Sequence, residues 1–125
     1  AINLSDQEPV VRQKIKTMIT DPARVRRHDP GNPDVCPVYD FHKIFSPLPV
    51  SEQVNQDCRK AAIGCIDCKK LVADRVVERL APMWDARATL TQHPSRLDEI
   101  AEDGRRRATA VSSQTMAEVR DAMKI

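Results

Sequence analysis

Glycine is nearly missing from this sequence: Gly31, Gly64 and Gly104 are the only three. No glycine-rich loop can therefore wrap the phosphates of a nucleotide, because such a cradle needs several adjacent residues without a Cβ. Aromatic residues make up 3% of the chain, so the rings on which nucleobases could stack are few, with Tyr39 and Phe41 as candidates. No uncharged run approaches the roughly 20 residues of a membrane-spanning helix. No charged-then-apolar leader precedes a small-residue cleavage site. A soluble, cytoplasmic protein with no membrane partner is the expectation. Alternating strand patterns, internal repeats and low-complexity tracts are missing as well.

Charge of one sign does not dominate either. The net charge is +2, too small to draw a polyanion to the molecule as a whole. The distribution carries more information than the sum. Basic residues gather at Arg24, Arg26, Arg27 and His28, then at Arg59, Lys60, Lys69 and Lys70, and again at Arg105, Arg106 and Arg107. The ordinary reading of each run is a solvated helix face. A phosphate-binding patch is the other.

What the chain does contain is helical periodicity. Ser5-Asp6-Gln7-Glu8 has the form of a capping box, followed by Val10, Val11, Ile15, Met18 and Ile19, which predicts a first helix over about residues 7–19. From Thr20 to Pro37 the prolines and Asp29-Pro30-Gly31-Asn32-Pro33 predict a loop. A short helix is expected from Val38 with Phe41, Ile44 and Phe45 inward. Another is expected from a Ser51 cap to about Ala61. A third starts near Asp67, with Leu71, Val72, Val76 and Leu80 as its apolar stripe and a kink or restart at Pro82. A long run from Ser95 through Leu97, Ile100, Val111, Val119 and Met123 reads as the C-terminal helix. The expected fold class is all-α: a helical bundle with one irregular, proline-rich segment and a four-cysteine metal-cluster site.

The cysteines, Cys36, Cys58, Cys65 and Cys68, follow the pattern C-x21-C-x6-C-x2-C. Disulfides suit small secreted domains that lack a core, and a chain of this size can bury one. A thioredoxin-like pair at Cys65 and Cys68 would need a strand in front of it and leaves two cysteines unexplained. Structural zinc sites usually combine two short C-x2-4-C knuckles or add histidine; only one short pair is present, and His42 reads as a structural histidine. An iron-sulfur cluster is wider than one ion and tolerates looser spacing. Its negative charge would be offset by Arg59, Lys60, Lys69 and Lys70 and by a helix N-terminus. By spacing alone the cluster and the zinc site both stay open, the cluster favoured.

At INLSD, KIKTMITDP, DPGNPDVCPVYDFHKIFS, CRKAAIGCIDCKK and RRRATAVSSQTMAEVRDAM the chain resembles the bacterial tryptophanyl-tRNA synthetases, in particular the branch with a 4Fe-4S cluster in its anticodon-binding domain. These stretches extend over essentially the whole sequence. In that branch the ligand pattern is the same except for a first gap one residue longer, so the resemblance implies Cys36, Cys58, Cys65 and Cys68 as cluster ligands. It further implies ATP-dependent attachment of tryptophan to its tRNA by a homodimeric class I ligase. The ATP-binding HIGH-like and KMSKS motifs of the family do not occur here. The expectation is a catalytic domain outside this chain, residues 1–34 as the junction to it, residues 35–125 as the helical anticodon-binding domain, and no activity of the chain alone. The expected partner is tRNA(Trp) rather than DNA, with Arg59, Lys60, Lys69 and Lys70 as the RNA-binding residues.

Overall fold

The computed structural model describes all 125 residues and contains helices only. In chain order they are α1 (Glu8–Thr17), a 3-10 turn (Pro33–Val35), α2 (Pro37–Phe45), α3 (Leu48–Arg59), α4 (Cys65–Gln92) and α5 (Pro94–Met123). By internal packing the chain forms two compact units, Ala1–Trp84 and Asp85–Ile125.

In the first unit the core is built from Val11 and Ile15 of α1, Val38 and Tyr39 of α2, Val54 of α3, and Val72, Ala73, Val76 and Leu80 of α4. Val11 and Ile15 are four residues apart, and Val72, Val76 and Leu80 follow at four-residue steps, so α1 and α4 each turn one apolar face inward. Ile15→Ala in this core would remove side-chain volume at a site with no exposure, a loss of about 2–5 kcal/mol by analogy with other core truncations.

Several local expectations are corrected. Ser5 does not cap α1: Gln7 occupies the cap position without a side-chain bond. Asp6 instead closes the preceding turn by accepting from the Asn3 amide at 2.8 Å. In α2 the inward residues are Val38, Tyr39 and His42, while Phe41 and Phe45 are half-buried and stack on one another with centroids 5.8 Å apart. Ile44 is 74% exposed, because the 38–42–45 stripe leaves it on the opposite side. α3 begins at Leu48 rather than at a Ser51 cap; proline is tolerated in a first turn, whose amides have no helical partner in any case. Ser51 is buried inside that helix and donates to the Leu48 carbonyl.

Pro82 lies within α4, which continues to Gln92. A proline there loses one amide bond. Leu80 before it and Trp84 after it both pack against the core, and the Trp84 indole N–H donates to the Leu4 carbonyl at 3.2 Å.

In the second unit α5 has no buried residue. Its basic run is ion-paired along the helix: Arg105 pairs with Glu102, and Arg106 and Arg107 share Asp103. These are i,i+3 and i,i+4 pairs, the ordinary surface reading of that cluster.

Candidate cysteine site and basic surface

The four cysteines sit at helix ends. Cys36 is the N-cap of α2, Cys58 lies in the last turn of α3, and Cys65 and Cys68 occupy the first turn of α4, one turn apart and hence on one face. All four are free thiols. No strand leads into Cys65, so the thioredoxin-like arrangement has no counterpart.

Burial pushes the Cys68 thiol up to about 12, helped by the neighbouring thiols of Cys36, Cys58 and Cys65. Burial raises Cys58 too, opposed by the Arg24 guanidinium, with Cys36 and Cys65 adding to the rise. Cys36, Cys58 and Cys65 thus all lie within electrostatic reach of Cys68. No three His, Cys, Asp or Glu side chains are grouped so as to hold a single metal ion.

Between α3 and α4 the backbone reverses in a few residues. The Ala62 amide returns to the Asp57 carbonyl at 2.7 Å, and Ala61 adopts a left-handed conformation with φ of 57°. Opposite this reversal the Thr20–Pro37 loop presents Gly31, whose amide donates to the Cys58 carbonyl at 3.0 Å. A Cβ on Gly31 would lie 2.6 Å from the Cys58 sulfur. The loop backbone therefore approaches the sulfur as only glycine permits.

Sequence reasoning treated Arg24 as one of a solvated cluster. The structure corrects this and shows what holds the loop. Asp21 is buried and accepts from the amides of Ala23 at 2.9 Å and Asn32 at 2.7 Å. Arg24 is 9% exposed. One of its terminal nitrogens donates to the carbonyls of Arg27 and Ile63, each at 2.8 Å, and the other stands 3.7 Å from the Cys58 sulfur. Its Nε is buried without a partner. One residue thus ties the loop to the α3–α4 reversal and lays a positive charge beside a thiol. The signal was available in DPARVRR and DPGNP, where Asp-Pro and Asn-Pro pairs mark turns that need side chains to close them.

His42 has no exposure and fills a structural role. Its Nε2 lies 3.2 Å from the Cys68 carbonyl oxygen and its Nδ1 2.8 Å from the Ser46 hydroxyl. Both contacts are satisfied when Nε2–H donates to the carbonyl and Nδ1 accepts from the hydroxyl. Burial lowers its pKa, which keeps the ring neutral.

The basic residues singled out from sequence divide into two pairs. Arg59 and Lys60 are exposed at the end of α3, where Arg59 is ion-paired with Asp34 at 2.7 Å and bonded to Asn55. Lys69 and Lys70 lie on α4 beside Arg12 and Lys16 of α1, two cations that sequence reasoning passed over. Of the two aromatic stacking candidates, Tyr39 is buried and Phe41 half-buried.

An all-helical unit with thiols at its helix ends and a basic surface is matched, over residues 1–81, by the family model described as tRNA synthetases class I (W and Y). The chain belongs to this family. Among curated relatives, the tryptophan–tRNA ligase of Thermotoga maritima is 42% identical over 99% of the chain and 38% of its own length. The enzyme of the same name from Ralstonia nicotianae is 42% identical over 98% of the chain and 30% of its own length. That of Deinococcus radiodurans is 45% identical over 86% and 33%. The chain spans about a third of the length of these relatives. No helix is long and apolar enough to cross a membrane.

Proposed function

We propose that this chain is the anticodon-binding, C-terminal part of a tryptophan–tRNA ligase, recognising tRNA(Trp) for an enzyme that attaches tryptophan at the expense of ATP. The catalytic domain of that homodimer would lie outside this chain, and the chain alone would not activate tryptophan. The observation that carries the reading is the end-to-end similarity to tryptophan–tRNA ligases at 42% identity.

In this reading Cys36, Cys58, Cys65 and Cys68 hold a 4Fe-4S cluster. The residues fit such a group: four free thiols of which three act electrostatically on Cys68, a glycine cradle at Gly31 and the buried cation of Arg24 beside Cys58. A cluster supplies iron–thiolate bonds that cross-link the segments bearing its ligands and retain them as thiolates. Zinc would need its donors at about 2.3 Å from one centre, and no three of these side chains are grouped so as to hold a single ion. The protein's own part is positional. Arg24 and Asp21 order the loop, Gly31 closes it over Cys58, and the start of α4 places Cys65 and Cys68 on one face.

Arg59, Lys60, Lys69 and Lys70 flank this site and supply cations for the RNA backbone. Phosphate contacts set position, while contacts to base edges set sequence.

The test is direct. Protein purified without oxygen should be brown and contain iron and labile sulfide in equal amounts. Zinc without sulfide would favour a zinc-stabilised helical interaction module instead. Cys58→Ser should lose the iron and loosen the Thr20–Pro37 loop in hydrogen exchange. Binding should discriminate tRNA(Trp) from the same tRNA with an altered anticodon; equal affinity would remove the base-reading role.

A further inference from the structure

Between α1 and α4 lies a cleft of about 420 Å3 lined by Arg12, Lys16, Ile66, Lys69, Lys70 and Ala73. Its volume is that of a small-ligand site, and its composition is two-sided. Ala73, 3% exposed, forms the floor, and Ile66, an isoleucine 70% exposed, extends the apolar surface outward beside the methylene stems of the lysines. The rim is cationic.

The partners of these cations show which charges are free. Arg12 is held by Glu8 at 2.7 Å and Asp74 at 2.6 Å, so those two carboxylates are already engaged. The Lys69 ammonium donates to the Lys16 carbonyl at 3.1 Å, which pins one wall to the other without neutralising it. Lys16 and Lys70 are exposed, and neither ammonium has a carboxylate or any other acceptor. Two free charges thus stand over an apolar floor. A bare inorganic anion would satisfy the rim and leave the floor wet. An anion carrying a flat, weakly polar body satisfies both.

We propose that the α1–α4 cleft seats one backbone phosphate of a single-stranded RNA segment, with Lys16 and Lys70 on the phosphate and the attached sugar or base lying on Ile66. This rests on the RNA-binding reading given above and extends the RNA surface to α1. A phosphate contact carries no sequence information, so the cleft anchors the strand and leaves discrimination to other residues.

The experiment uses the full chain and two probes, an anticodon stem–loop RNA with the tryptophan anticodon and the same RNA with that anticodon altered, each titrated over a range of salt. In Lys16→Gln/Lys70→Gln the slope of log affinity against log salt should become shallower by about 0.7 per lysine. Affinity should fall several-fold for both RNAs alike, their ratio unchanged. Ile66→Ser should weaken both RNAs with the slope unaltered. All three side chains are on the surface or at its edge, and an unchanged thermal melt confirms that the fold is intact. If wild type binds RNA and the double variant matches it in slope and affinity, the cleft is not an RNA site and the broader reading stands. If the wild-type chain binds neither RNA, both fall together.

Discussion

Gly31 and Cys58 are in backbone and side-chain register at once: the Gly31 amide donates to the Cys58 carbonyl at 3.0 Å, and there is no room for a Cβ between Gly31 and the Cys58 sulfur. Gly31→Ala places a methyl 2.6 Å from that sulfur, so the sulfur or the loop must shift. The expected cost is about 1–3 kcal/mol, typical of overpacking. On the proposed cluster reading, it should come with iron loss in protein purified without oxygen. Thermal melting and iron analysis check it; wild-type stability and full iron content would show that the approach is looser than described.

Ala61 holds a left-handed backbone with φ of 57° at the turn after α3. For a residue with a Cβ this conformation costs about 1–2 kcal/mol, and glycine adopts it freely. Ala61→Gly should therefore stabilise the chain by up to about 1 kcal/mol, some of the gain being lost to the greater freedom of the unfolded glycine. A denaturant titration with unchanged m-value measures this. Destabilisation would mean that the alanine methyl makes a packing contact worth more than the strain.

The Arg59–Asp34 pair, at 2.7 Å with both side chains about half exposed, contributes little to stability, roughly 0–1 kcal/mol. Its effect on binding should be larger than its effect on folding. Asp34→Asn frees the Arg59 guanidinium and removes a negative charge from the surface that would face RNA. RNA affinity at low salt should rise several-fold and its salt dependence steepen, with the melt nearly unmoved. Weaker binding would indicate that the pair orients Arg59 rather than restraining it.

Asp6 accepts from Lys14 at 2.5 Å and from the Asn3 amide at 2.8 Å, and these two bonds, the lysine first, hold its carboxyl below the usual carboxylate range. A depressed folded-state pKa stabilises the fold above the unfolded value of about 3.9, and that contribution disappears as pH falls through the lower folded value. A carboxyl NMR titration should give a midpoint below 3.9, and Lys14→Gln should move it upward. An unmoved midpoint in the variant would assign the shift to the Asn3 amide alone.

Much of the architecture was legible in the letters. The apolar spacing in α1, α4 and α5, the proline-rich loop and a helical start expected near Asp67, two residues after its actual start at Cys65, all follow from local preferences that act within a few residues. What failed was local chemistry that competes with itself. Ser5 and Ser51 are both good cap residues, yet Asp6 closes its own turn and the prolines at 47 and 49 allow α3 to start earlier. The inward face of α2 depended on which of two overlapping stripes met the core. That choice is made by α3 and α4, not by α2.

The candidate site divides in the same way. Sequence alone determined the spacing of the four cysteines and the cations that crowd them, because both are read directly from residue type and order. Only the tertiary structure decided that Arg24 is buried against Cys58, that Asp34 neutralises Arg59 while Lys16 joins Lys70 over Ile66, and that Gly31 is the residue closing on the sulfur. Those pairings join residues up to 54 positions apart, Lys16 to Lys70 being the widest. No local rule reaches that far; the fold brings such residues together only after the helices have buried their common core.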